Sequence, residues 1–215
     1  MDYLVSSRDD FVTHTRGIHV SIIIWIAVVI LTITSTGMLL SRDWRISLGL
    51  LGLQYVGVLW LVAQYWPVSM AAIKLVTGWM AIATLGITQL GSGRTDYLSE
   101  GFWSQGQLFR IIASGLILVI VVAITPRVEE IVPGIQLAVI SGSLVLIGIG
   151  LLHLGISAQP LRIILGLLTV LSGFEIVYAA LESSLLVAAL LATVDLGLAL
   201  TGAYILTSFE SEASS

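Results

Sequence analysis

Three ionisable side chains, Lys74, Glu175 and Asp195, each fall inside a run of roughly 20 predominantly apolar residues, the length that crosses a hydrocarbon layer. Insertion scales put a charge at the centre of such a run at about 2.5–3.5 kcal/mol, so these residues usually face a partner, a cavity or an ion path. Loss of hydration favours the neutral form of a carboxyl, which lets an acid in this setting hold and release a proton near neutral pH. Glu175 lies roughly 20 Å from the start of its run and Asp195 close to the middle of the next, at 1.5 Å per helical residue. Two acids on adjacent, antiparallel helices suit an ion relay. Ser172, Glu175, Tyr178 and Glu182 follow at spacings of three, three and four, which puts them on one helix face leading from mid-membrane to one surface. Lys74 lies only about 10 Å from the nearer end of its run, so it is either a basic partner of the acids or a lysine that snorkels to the interface.

The elements that must position these groups follow from composition. The 215 residues are 57% hydrophobic and 10% charged, and the mean hydropathy is +1.05, against about 25% charge in a soluble domain. A soluble globular fold is excluded, and the scattered basic residues leave no footprint for a nucleic acid. The absence of cysteine excludes disulfides, thiolate zinc sites, cysteine-ligated iron–sulfur clusters and cysteine nucleophiles in this chain.

Seven apolar runs lie near residues 18–40, 46–64, 68–90, 108–125, 132–154, 161–181 and 184–207. Backbone groups in lipid must be satisfied internally, so the expectation is an all-α polytopic membrane protein with about seven transmembrane helices. Around them stand a polar N-terminal extension over 1–17, a loop over 91–107 and a polar tail over 208–215. The polar start argues against a cleaved signal peptide. Arg42, Arg45, Arg94, Arg110 and Arg162 collect on one side and Arg8, Arg16 and Arg127 on the other, which places the N-terminus outside and the C-terminus in the cytoplasm.

Residues 45–51, RISLGLL, and 162–168, RIILGLL, agree at six of seven positions at an offset of 117. Four crossings separate the copies, so helices 1–3 and 5–7 read as parallel repeats of a three-helix unit joined by helix 4. At that offset Glu175 and Asp195 project onto Val58 and Gly78, so only the second unit carries intramembrane acids. Gly173 and Gly197, beside the two acids, are expected to let neighbouring helices approach closely.

From Arg162 to Ile205 the chain resembles the small three-helix subunit K of respiratory NADH:quinone oxidoreductase, complex I. Gly173-Phe174-Glu175-Ile176 matches that family's G-L-E-I around an intramembrane glutamate, and Asp195, in ATVDLGLAL, stands where the family has a second glutamate. Over residues 18–207 the chain resembles the component E family of hydrogenase-4 and related group 4 membrane hydrogenases, with Lys74 in AAIKLVTGWM and Val194-Asp195 at matching places. The first 17 residues have no counterpart in it.

The resemblance implies a non-redox subunit of an ion-translocating arm in a prokaryotic inner membrane. Its partners would be antiporter-like membrane subunits and peripheral iron–sulfur or nickel–iron redox subunits, and it would hold no cofactor of its own. Glu175, Asp195 and Lys74 would belong to a midplane chain that moves protons or sodium ions, with Ser172, Tyr178 and Glu182 as candidate lining. A structural or assembly subunit is the competing reading, because helix packing alone favours 21 glycines. A bis-histidine haem is disfavoured, since His14 and His19 fall at the opposite side from His153. An intramembrane aspartyl protease is disfavoured because Phe174 and Val194, not glycines, precede the acids. A stand-alone transporter is disfavoured because no helix shows paired Gly/Pro interruptions, and prolines 67, 126, 133 and 160 are all expected at helix ends.

Overall fold

The computed structural model describes residues 22–91 and 105–213, with side chains omitted at 105 and 209–213. The extension over 1–17 and most of the 91–107 loop lie outside the described residues. Seven helices follow one another, α1 (Ile22–Leu40), α2 (Trp44–Val62), α3 (Val68–Gly91), α4 (Gln105–Ile131), α5 (Leu137–Ile156), α6 (Pro160–Leu181) and α7 (Leu185–Ala213). All are long and apolar enough to cross a membrane, and no strand occurs among the described residues. The protein is an all-α, multi-pass membrane protein.

Local signals set the helix ends. Asp43 caps α2, its carboxylate accepting from the Arg45 N–H at 2.8 Å. Pro160 opens α6, where its missing N–H is no loss. Gly134, at φ +102°, turns the chain between α4 and α5 in a conformation L side chains rarely adopt.

Two boundaries differ from expectation. The TPRVEE stretch is not a break: α4 carries Pro126 inside it and runs on to Ile131. A proline five residues from the end removes only the bond its own nitrogen would have made to the Val122 carbonyl, while the Thr125 hydroxyl donates to the neighbouring Val121 carbonyl at 2.7 Å. Likewise α7 continues to Ala213, well into the expected polar tail.

Large apolar side chains such as Val29, Ile33, Val122 and Leu186 face outward, as lipid rather than water requires. Helices α5 and α6 are the most enclosed and α4 the least. The helices that the 117-residue offset relates pack on one another, α2 against α6 and α3 against α7. Arg162, near the start of α6, donates to the Ser41 carbonyl at 2.8 Å and joins that end to the α1–α2 loop. At the other face the Trp66 indole donates to the Glu182 carbonyl at 3.0 Å, tying the α2–α3 turn to the α6–α7 turn.

Inside, one apolar cluster gathers Leu31, Val58, Leu61 and Ile176 toward the α2–α3 turn. A second gathers Leu51, Tyr55, Leu85 and Leu168 toward the α1–α2 loop. The charged residues sit at the level where the two meet.

Candidate ion-relay site

Lys74 (α3), Glu175 (α6) and Asp195 (α7) come from separate helices and meet in the interior. Lys74 Nζ forms ion pairs with Glu175 Oε2 and with Asp195 Oδ2, and it donates a hydrogen bond to the latter. All three are buried, at 7%, 5% and 0% exposure, which settles the reading of Lys74. It does not snorkel. About 9 Å of helical rise separates Lys74 from the start of α3 and Glu175 from the end of α6, and about 15 Å separates Asp195 from the start of α7. Desolvated ammonium and carboxylates are expensive singly, so the mutual pairing is what makes their burial tolerable.

The surroundings show why the helices can bring these groups together. A Cβ on Gly173 would stand 2.8 Å from the Ser143 carbonyl oxygen and 3.0 Å from the Ile147 nitrogen, so α6 lies directly on the α5 backbone beside Glu175. Gly197 does not play the expected part, since a Cβ there would meet nothing within 4 Å. Its helix face looks away from the bundle.

The expected lining divides. Ser172 is fully buried one turn from Glu175 and donates to the Leu168 carbonyl at 2.8 Å. Tyr178 is half-buried and stacks on Phe174 with ring centroids 6.5 Å apart. Glu182 is exposed and ends α6 as its C-cap. Only Ser172 therefore stands among the buried polar groups next to the site; Tyr178 and Glu182 lie farther along α6, toward its exposed end.

Several neighbours escaped the sequence reading. The Tyr55 ring lies over Lys74 Nζ, 5.0 Å from the centroid. Gln54 and Thr169, both fully buried, approach at 3.5 Å one step deeper toward the α1–α2 loop. One signal did point here. The repeat offset that projects Asp195 onto Gly78 also projects Ser172 onto Tyr55, and both projected positions lie in this site. A crevice beside the ion pairs is lined by Val62, Trp66, Met70 and Ile73 from the α2–α3 side, by Ala188, Leu191 and Ala192 of α7, and by Lys74 and Glu175 themselves. It holds about 20 Å³, room for about one water molecule.

Among the described residues no group of three or more His, Cys, Asp or Glu side chains is arranged to hold a metal ion. Compared with known protein families, curated proteins and solved structures, the chain has no significant match.

Proposed function

We propose that this protein is a non-redox membrane subunit of an ion-translocating complex related to group 4 hydrogenases and complex I, and that Lys74, Glu175 and Asp195 pass protons or sodium ions within it. The observation that carries the reading is one buried cation shared by two buried acids from different transmembrane helices. An intramembrane cluster of this kind is a costly arrangement whose default meaning is an ion path. A lysine between two carboxylates can shift toward either, so a charge arriving from one side changes what the other acid holds.

The sequence resemblance supplies the parent complex, its antiporter-like membrane partners, its iron–sulfur or nickel–iron peripheral subunits and its place in a prokaryotic inner membrane. Redox chemistry would then lie in other chains, consistent with a sequence that has no cysteine. A structural pin between α3, α6 and α7 is the second reading, favoured by the way one cation ties all three helices.

Glu175→Gln separates the two. Inverted membrane vesicles carrying the variant complex should show normal assembly on native gels and reduced ion translocation per substrate turnover. Normal translocation would sink the relay reading, and failed assembly would favour the pin.

A further inference from the structure

A relay of Lys74, Glu175 and Asp195 does not by itself require a tyrosine, yet Tyr55 is the largest fully buried side chain beside it. Its ring lies within the roughly 6 Å range over which an ammonium is attracted to an aromatic face. The ring also rests on the α3 backbone at Gly78, one turn beyond Lys74. A Cβ at position 78 would come 2.6 Å from the ring Cγ and 2.7 Å from both Cδ atoms. Lys74 is thus held by the acids on one side and by an immobilised ring on another.

The hydroxyl tells more than the ring. It is buried and makes no hydrogen bond of good geometry, although the Ser172 side chain is within hydrogen-bonding reach and both acids are close enough to act on it electrostatically. Phenylalanine would fill the same space without burying a donor, so an O–H engaged at best loosely by Ser172 calls for a role. Glu175 Oε1 and Asp195 Oδ1 are buried without a hydrogen-bond partner. A phenolic proton reorients by rotating about its C–O bond with no movement of the packed ring. The crevice next to Lys74 gives the ammonium somewhere to go.

We propose that Tyr55 is a positioning residue of this site: its ring, backed by Gly78, holds Lys74 between the two carboxylates, and its hydroxyl donates to the carboxylate that Lys74 releases when it moves toward the crevice. This rests on the relay reading and assigns it a fourth side chain.

Dicyclohexylcarbodiimide, which enters lipid and couples to protonated carboxyls, tests it on the full chain in native membranes at one neutral pH. Adducts on Glu175 and Asp195 are counted by peptide mass spectrometry. Wild type should label least, Tyr55→Phe more because the reserve donor is gone, and Tyr55→Leu most because Lys74 is also loosened. Gly78→Ala should label like Tyr55→Leu, since the new methyl group displaces the ring, even though alanine favours a helix more than glycine does. Adding Gly78→Ala to Tyr55→Leu should then change nothing further. Tyr55→Phe keeps the packing volume and so keeps the fold. Wild-type labelling in Tyr55→Phe, or in Gly78→Ala, overturns the assignment.

The two proposals fail separately. Unchanged translocation in Glu175→Gln would end the relay reading while the labelling order still reports on Tyr55. A flat labelling order together with lost translocation in Glu175→Gln would remove Tyr55 and leave the relay.

Discussion

Lys74 is one cation facing two carboxyl groups, so removing it and removing everything have different consequences. Breaking a buried ion pair by deleting one partner costs about 3–5 kcal/mol, whereas replacing the whole set with neutral groups of similar size is often nearly neutral. Lys74→Met should therefore lower the thermal midpoint of the detergent-solubilised protein markedly. The all-neutral variant Lys74→Met/Glu175→Gln/Asp195→Asn should recover most of that loss. Translocation should be absent in both. A triple variant that is stable and still translocates would show that the charges serve only the fold. The acids and the lysine were legible in the sequence because charge inside an apolar run is rare. Their meeting was not legible: whether a lysine 9 Å from a helix end snorkels or turns inward depends on how α3 is rotated, and packing against α7 decides that. Gln54 and Thr169 gave no signal, because uncharged polar residues at helical spacing read as ordinary core, and Tyr55 surfaces only through the repeat offset that carries Ser172 onto it.

At the scale of helices, the existence and order of all seven were readable, since length and hydrophobicity alone define a span. Ends were less so. The charged segment after Pro126 looked like a loop, but a helix leaving the bilayer loses nothing by continuing into polar surroundings, and α4 does so. Glycine was a mixed guide: Gly173 marks a true backbone contact and Gly197 does not. Nothing in a single chain of sequence says which face of a helix meets a neighbour when nearly every face is apolar. This yields a paired prediction. Gly173→Ala pushes α6 off the rigid α5 backbone, an overpacking worth about 1–3 kcal/mol, and it should lower both the thermal midpoint and translocation without altering any charge. Gly197→Ala, with nothing within 4 Å of the added methyl, should match or slightly exceed wild type in the same melting assay. Equal melting of the two variants would mean that α5 and α6 do not approach as described.

Across the whole molecule Lys74 and Glu175 lie nearer one face than the other, so the orientation decides which side of the membrane is closer to them. Lys74 and Glu175 lie about 9 Å from the ends of α3 and α6 at the face where Trp66 meets Glu182 and where the Tyr65 hydroxyl accepts from the Gln136 N–H at 3.0 Å. The opposite face is separated from them by the leucine-rich cluster around Leu51, Leu85 and Leu168. The crevice accordingly lies on the α2–α3 side, and the arginine count predicts that this side is the outer one, which labelling can test. With no native cysteine, single cysteines report on topology without background. Ser183→Cys, exposed in the α6–α7 turn, should react with a membrane-impermeant maleimide added to intact cells. Arg42→Cys, in the α1–α2 loop, should react only after permeabilisation. The reverse pattern would put the crevice on the cytoplasmic side, so that the three-residue site would exchange its ion with the cell interior. Labelling of both cysteines in intact cells would contradict a single orientation and, with it, any directional relay through Lys74.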